Sequence, residues 1–267
     1  MRRHWSAWTV CVWLGVAGIA YGGVPVADLL PDIIVDPDLL NDHSIVTNIE
    51  PGHVHLRFAN GTPNIGDGPL YMIGETPLPD SETQLVDQRV FRSDDSYYDR
   101  PAGEFIYHPT HNHTHVDDWA AYRLRAVLPG DGVGDIVAEG GKTSFCLRDT
   151  EVFDGSLPNV PAQPFFVECS TQLQGISVGY QDVYTKNLPD QWIDITNVPD
   201  GTYWLESEAD PHDHVLEKNE SNNVARVKLN IVKPAPQGGG FGGIFAVLIA
   251  LFQQILNAIL GLFGGGL

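Results

Sequence analysis

The chain has 267 residues, of which 43% are hydrophobic and 10% are aromatic. This composition can supply a sizeable buried core, and it excludes an intrinsically disordered chain. The chain carries 34 acidic residues against 15 basic ones, which gives a formal net charge of −19. A charge of this sign repels phosphate backbones and anionic lipid headgroups, so we expect no nucleic-acid partner. The same charge would attract a protonated amine or a basic polypeptide, and it would also keep the protein soluble.

Residues 1–22 have the layout of a secretory signal peptide. Two arginines precede an apolar run, and Ala20 and Gly22 stand at the −3 and −1 positions of a small-residue cleavage site. A retained membrane anchor is the alternative. We therefore expect a secreted or cell-surface protein.

The cysteines are few. Cys11 would leave with the signal peptide, so the exported chain would keep only Cys146 and Cys169. In an oxidising compartment two cysteines most simply form one disulfide. Such a bond would stabilise the fold by roughly 3 kcal/mol in the chain-entropy model. Two cysteines are too few for a zinc ribbon.

Residues 23–233 are predicted to form one domain built from short strands. The segment HVHLRF alternates apolar and polar side chains, which is the period-2 pattern of a half-buried strand. Similar runs are QLVDQRVFR, EFIYHP, DDWAAYRLRAV, TSFCLRD, QPFFVEC, YWLESEAD and NNVARVKLNIV, and glycine- and proline-containing turns separate them. Short strands with such turns predict a mainly β fold, as a single β-sandwich-like domain with long loops.

The end of the chain has a different character. Residues 234–243 form a proline- and glycine-rich linker, and residues 244–263 are apolar and uncharged. We predict a C-terminal apolar helix that is just long enough to cross a bilayer. Gln253, Gln254 and Asn257 would cluster on one side, which suits contact with another helix. Two alternative predictions follow for this segment, which are membrane association and self-association.

Three histidines alternate in the segment THNHTHV, at His111, His113 and His115. Residues two apart on a strand point to the same side, so the three imidazoles would share a face. In a flat strand the outer pair would be roughly 13 Å apart at Cα, so the segment must bend or one ligand must come from elsewhere. Nitrogen ligands with open positions suit copper or zinc rather than calcium or magnesium. The alternative is a solvated histidine-rich loop, and the alternation favours the metal site.

The same segment allows a hydrolase hypothesis. HTHVDD is similar to the H-x-H-x-D-H signature of metallo-β-lactamase hydrolases, but Asp118 stands where the final histidine belongs. Only His212 and His214 lie downstream to supply the remaining ligands. This hypothesis is weak.

Three segments, taken in order, resemble the lysyl oxidase family. HPTHNHTHVDDW is similar to the copper-binding segment of that family, and GGKTSFCLRDTE is similar to the segment that follows it. QGISVGYQDVYTKNLPDQWIDITNVPDGTYWL resembles the most distinctive run of the family. Weaker similarity extends the match to residues 29–232. On these segments the chain is identified as a member of the family.

The resemblance implies two cofactors. Cu²⁺ would be bound by His111, His113 and His115. Lysyl tyrosylquinone would form from Lys142 and Tyr184 of the chain itself. With these cofactors the protein would use O₂ to oxidise a primary amine or a lysine-containing polypeptide, and it would release aldehyde, ammonia and H₂O₂.

The catalytic base is the least defined residue. Some family members have a histidine where this chain has Ala121, so that role does not transfer. Asp182 is the first candidate because it would share a strand face with the quinone tyrosine, and Asp117 and Asp118 follow. Each of these aspartates has a structural carboxylate as its alternative. His108 matches a family histidine outside the ligand triplet.

The departures from the family concern disulfides. Animal members carry several, whereas Thr110 and Val152 stand here where those members have cysteines. Cys146 and Cys169 match family positions, so we predict that they pair with each other. The alternative to an amine oxidase is a non-catalytic copper- or zinc-binding β-sandwich protein, which would need the histidines but no quinone.

Overall fold

The computed structural model describes residues 25–76, 83–108 and 113–234 of the chain. The predicted signal peptide, most of the predicted linker, the apolar segment 244–263 and His111 lie outside the described residues. Within the three described ranges, no helix combines the length and apolar character needed to cross a bilayer.

Short strands dominate the described residues, as the alternating sequence predicts. In chain order the elements are β1 (Asp28–Leu29), α1 (Pro37–Leu40), β2 (His43–Val46), β3 (His55–Phe58), β4 (Asn60–Pro63), β5 (Leu70–Gly74), β6 (Thr83–Arg92), β7 (Tyr97–His108), β8 (His113–Val116), β9 (Ala120–Leu128), β10 (Gly132–Glu139), β11 (Glu151–Val152), β12 (Leu173–Ile176), β13 (Tyr180–Tyr184), β14 (Trp192–Asp194), β15 (Gly201–Ala209) and β16 (Val224–Ile231).

The strands of the described residues divide among four antiparallel sheets. The largest has the order β12–β5–β6–β7–β8, with β1 paired to β6, and the second has the order β10–β9–β15–β16. Two three-stranded sheets have the orders β11–β13–β4 and β14–β3–β2. The mainly β prediction is confirmed, while the finer prediction of one sandwich-like domain stays a prediction.

The alternation of side chains explains how these strands build the core. On β9, Tyr122 and Leu124 are almost fully buried, at 1% and 0% exposed. Arg123 and Arg125 point to the opposite side, where both contact the Glu206 carboxylate. Burying a large apolar side chain contributes about 1.5–3 kcal/mol, so this face anchors the strand. Apolar side chains from all four sheets join one continuous buried cluster.

The strand predictions for TSFCLRD and QPFFVEC are wrong. TSFCLRD is extended but makes a single bridge, between Phe145 and Val116. In QPFFVEC, the backbone amides of Phe165 and Phe166 donate to the carboxylate of Asp149 instead of a neighbouring strand. A side-chain acceptor from a distant segment therefore replaces the strand ladder, and no local periodicity signals this exchange.

Candidate active site

The β7–β8 hairpin carries the candidate metal ligands. His108 pairs with His113 and Ile106 pairs with His115 across the two strands. His113 and His115 lie two residues apart on β8, so they project from the same face. Their Nε2 atoms are 2.9 Å apart, and the ring of His108 lies 5.0 Å from that of His115. The hairpin thus gathers three imidazole rings.

His113 and His115 fit a shared transition-metal ion. Imidazole nitrogens bind such ions at about 2.0–2.1 Å, so two ligands at a right angle would lie about 2.9 Å apart. The observed Nε2–Nε2 distance of 2.9 Å agrees with this spacing. His111, the third predicted ligand, belongs to the part of the hairpin that the structure does not describe.

An extended segment beside β8 positions Lys142. The backbone N–H of Val116 donates to the Phe145 carbonyl at 2.7 Å, and the reverse bond measures 3.0 Å. In the same segment, Oγ of Ser144 lies 3.3 Å from Nδ1 of His115. A hydrogen bond to the second ring nitrogen fixes the orientation of a ligating imidazole. The segment that carries Lys142 therefore also supports a candidate metal ligand.

Lys142 and Tyr184 are neighbours. Nζ of Lys142 lies 5.6 Å from the centre of the Tyr184 ring and 4.9 Å from that of Phe145. The Tyr184 hydroxyl accepts a hydrogen bond from the Cys146 amide at 2.9 Å and donates one to the carbonyl of the same residue at 3.1 Å. The Phe145 ring packs edge-on against Tyr184 at 4.7 Å. These contacts hold the phenol ring in one orientation beside the amine.

A disulfide supports the same region. Cys146 and Cys169 are joined, with their Cα atoms 5.3 Å apart, and this confirms the predicted pairing. Because the backbone of Cys146 binds the Tyr184 hydroxyl, the disulfide tethers the residue that holds the phenol.

One cavity of about 440 Å³ brings the predicted site residues together. Asp182 reaches it from β13, two residues before Tyr184 and therefore from the same strand face. The predicted residues that line it are His113, His115, Lys142, Asp182 and Tyr184. They come from β8, from β13 and from the segment between β10 and β11.

Burial shifts the pKa values of three titratable groups that line this cavity. It lowers the pKa of Lys142, although the charges of Asp190 and Asp182 oppose the shift. Burial also raises the pKa of Tyr184 well above its usual value, and the Asp182 charge adds to this effect. The pKa of Asp182 itself is raised well above its usual value by burial, against the opposing charges of Arg148 and Lys142. A lysine with a lowered pKa supplies the unprotonated amine that nucleophilic addition needs.

The other candidate bases lie elsewhere. Asp117, Asp118 and His214 line a separate cavity of about 550 Å³. His212 lies beside them, with Nε2 3.8 Å from the Asp118 carboxylate. Among the described residues, these aspartates therefore do not line the Tyr184 cavity, and neither do the two histidines that the hydrolase hypothesis requires.

The sequence analysis did not predict that two further charged residues, Arg148 and Asp190, lie near Lys142. Arg148 lines the cavity that contains Tyr184, and Asp190 lines a neighbouring cavity of about 270 Å³ with Lys142 and His108. The only sequence signal for Arg148 is its place within the GGKTSFCLRDTE segment. The only sequence signal for Asp190 is likewise its place within the QGISVGYQDVYTKNLPDQWIDITNVPDGTYWL segment.

Comparisons with known proteins identify the family. The family model described as lysyl oxidase matches residues 89–234. The chain is 36% identical over 132 residues to lysyl oxidase homolog 1 of Homo sapiens, which covers 49% of this chain and 21% of that protein. It is 35% identical over 131 residues to protein-lysine 6-oxidase of Sus scrofa, covering 49% of this chain and 48% of that protein. It is 26% identical over 230 residues to lysyl oxidase homolog 2 of Pongo abelii, covering 79% of this chain and 26% of that protein. The match thus spans about half or less of the length of these relatives.

Proposed function

Because the chain belongs to the lysyl oxidase family, we propose that it oxidises primary amines with O₂ to aldehyde, ammonia and H₂O₂. The observation that carries the proposal is the cavity shared by His113, His115, Lys142 and Tyr184. The substrate would be a simple amine or the side chain of a peptidyl lysine. The name protein-lysine 6-oxidase of the porcine relative supports the second choice.

Copper would be held by His111, His113 and His115, and the quinone would form from Lys142 and Tyr184. When present, these cofactors supply the redox chemistry and the electrophilic carbonyl that binds an amine. The 2.9 Å spacing of the described imidazole pair supports the copper assignment.

Lys142 and Tyr184 would first react with each other. The Lys142 amine lies 5.6 Å from the centre of the phenol ring, and its burial favours the unprotonated form. O₂ would accept the electrons as the ring is oxidised, the amine would then add to a ring carbon and lose its proton, and further O₂ would oxidise the adduct. The backbone of Cys146, which binds the phenol hydroxyl through two hydrogen bonds, would keep the ring from turning away.

Asp182 would remove the substrate α-proton. It is 3% exposed and lines the cavity beside Tyr184. Its raised pKa means that its carboxylate holds a proton more strongly than an exposed aspartate does. Once ionised, the Asp182 carboxylate is therefore a stronger base than that of an exposed aspartate.

The protein would work outside the cytoplasm, secreted or at the cell surface. The signal-like segment 1–22 and the disulfide between Cys146 and Cys169 support this location. The net charge of −19 supports a basic polypeptide or polyamine as substrate.

A peptide map tests the proposal. Aerobically matured, copper-loaded protein should yield one tryptic species in which Lys142 is joined to Tyr184. Lys142→Arg and Tyr184→Phe should abolish that species, the quinone absorbance and the release of H₂O₂. Lys186→Arg and Tyr180→Phe are matched controls, because Lys186 binds Asp42 at the surface and the Tyr180 hydroxyl donates to Pro161.

Recovery of both parent peptides unmodified from fully copper-loaded protein would contradict the oxidase assignment. Normal metal binding with that result would favour the non-catalytic copper- or zinc-binding protein instead.

A further inference from the structure

A second cluster of possible metal ligands lies in the sheet β14–β3–β2. Glu50 comes from the turn before β3, and His53 and His55 follow it. Oε2 of Glu50 lies 3.9 Å from Nδ1 of His53 and 4.0 Å from Nε2 of His55. One nitrogen of each histidine and one Glu50 oxygen all lie within 4.8 Å of one another. None of the three lines the cavity that contains Tyr184.

The strand pattern explains why the two imidazoles meet. His53 and His55 are two residues apart, so both point to the side of the sheet opposite Val54, which packs against the core. Their ring centres are 6.0 Å apart and their planes differ by 24°. The alternation that makes HVHLRF a half-buried strand thus also presents two parallel imidazoles.

His55 is buried, and one of its two ring nitrogens has no hydrogen-bond partner among the described residues. The side chain is 1% exposed, and the nitrogen concerned is Nδ1. Its Nε2 is 4.0 Å from Glu50, which is too far for a hydrogen bond. Buried polar atoms are almost always satisfied, so this ring indicates a ligand.

His53 is oriented as metal-binding histidines are. Its Nδ1 lies 2.7 Å from Oδ2 of Asp194 on β14. The other oxygen of Asp194 accepts hydrogen bonds from the amide of Thr196 at 2.8 Å and from its hydroxyl at 2.5 Å. A carboxylate that is fixed in this way and holds Nδ1 is the usual support of a metal ligand, and it leaves Nε2 of His53 as the nitrogen that would bind the metal.

We propose that Glu50, His53 and His55 form a second metal site, which binds a divalent transition metal of the zinc type. Two imidazoles and one carboxylate, with one position left for water, are a known zinc ligand set, whereas calcium and magnesium take oxygen ligands. A tetrahedral site needs ligand atoms about 3.3 Å apart. The side chain of Glu50 is 55% exposed, so it is free to close the remaining distance.

The site would act as a clamp. It would join the turn that contains Glu50 to β3, and through Asp194 to β14. The His55 ring packs edge-on against Trp192 at 5.6 Å, and Trp192 lines a cavity with Lys142. Metal binding would therefore brace one wall near the candidate active site without contributing a group to the chemistry.

Zinc stoichiometry tests the proposal on the full chain. After equilibrium dialysis against zinc chloride, elemental analysis should find one fewer zinc ion per chain in Glu50→Gln/His53→Gln than in the parent protein. Both side chains are about half exposed, so this variant should fold. His43→Gln, on the neighbouring strand β2, is the matched control and should retain the parent stoichiometry.

A second double variant separates this site from the candidate active site. His113→Ala/His115→Ala should lose a different ion, and combining both pairs of substitutions should lose two. Zinc should raise the melting temperature of His113→Ala/His115→Ala, and it should not raise that of the protein that carries all four substitutions. Equal zinc content in the parent and in Glu50→Gln/His53→Gln would overturn the second site and leave the oxidase proposal untouched.

Discussion

At the residue scale, burial gives Lys142 and Asp182 their unusual chemistry. Lys142 is 7% exposed and Asp182 is 3% exposed. Burial disfavours the charged form of each group, so it lowers the pKa of Lys142 and raises the pKa of Asp182. Sequence alone supplied the residue types, the role of Lys142 through the family resemblance, and Asp182 as a candidate base through its place two residues before Tyr184. It did not indicate their burial, because a single lysine or aspartate has no pattern that reports its environment.

Asp182→Asn should separate cofactor formation from turnover. If Asp182 is the base, its loss should lower the rate of H₂O₂ release by about 10²- to 10⁴-fold, the usual contribution of a positioned base. The crosslink between Lys142 and Tyr184 should still form, as peptide mass would report. Asp117→Asn, in the separate cavity, is the control and should keep near-normal turnover. Equal losses in both variants would remove Asp182 from this role.

Asp190→Asn should shift the pH dependence of crosslink formation. The negative charge of Asp190 raises the pKa of Lys142, so its removal should lower that pKa further. More of the amine is then unprotonated at a given pH, and the midpoint of crosslink formation should move to lower pH. Quinone absorbance followed against pH measures the shift, with Asp135→Asn, on the exposed side of β10, as the control. A midpoint that moves upward would contradict the assigned charge interaction.

At the scale of elements, an ion cluster joins three strands of the second sheet. Glu206 on β15 is 1% exposed and accepts hydrogen bonds from Arg125 and Arg123 of β9 and from Arg226 of β16. Burial opposes its ionisation, but the three arginines outweigh burial and lower its pKa. A lowered carboxyl pKa means that the stabilisation is present above the unfolded pKa and is lost as the pH falls through the folded pKa.

Glu206→Gln should therefore lower the free energy of unfolding by about 1.5–3 kcal/mol at neutral pH, because three arginines that are 20–37% exposed lose the charged carboxylate that they bind. Guanidinium unfolding at neutral and at acidic pH would measure this loss, and the difference from the parent should narrow in acid. Glu139→Gln is the control, since Glu139 is 63% exposed and lies 3.9 Å from Arg123. Its cost should stay below about 1 kcal/mol. A pH-independent difference between Glu206→Gln and the parent would contradict the ion-cluster account.

The alternation of apolar and polar side chains predicted some strands correctly and failed for others. Alternation located β3, β6, β9, β15 and β16, whose buried faces need regularly spaced apolar side chains. It failed for TSFCLRD and QPFFVEC, whose backbone amides bind side chains of other segments: Leu147 donates to Gln174, and Phe165 and Phe166 donate to Asp149.

At the scale of the whole molecule, the net charge of −19 sets the long-range interaction with substrates. Salt screens this field, because the Debye length falls from about 10 Å at 0.1 M to about 3 Å at 1 M. We expect the KM for a lysine-rich peptide to rise several-fold over that range, while the KM for a small monoamine rises less. Peroxide release at several salt concentrations measures both constants. An identical salt dependence for the two substrates would show that the charge serves solubility alone.

The sequence by itself determined the mainly β class, the placement of His113 and His115 on one strand face and the family to which the chain belongs. These properties depend on local periodicity and on residue identities within short segments. Only the tertiary structure decided that Lys142 meets Tyr184, that Asp182 shares their cavity while Asp117 does not, and that His55 is buried beside Glu50. Such contacts join segments that are far apart in the chain, and they arise from the burial of one common core.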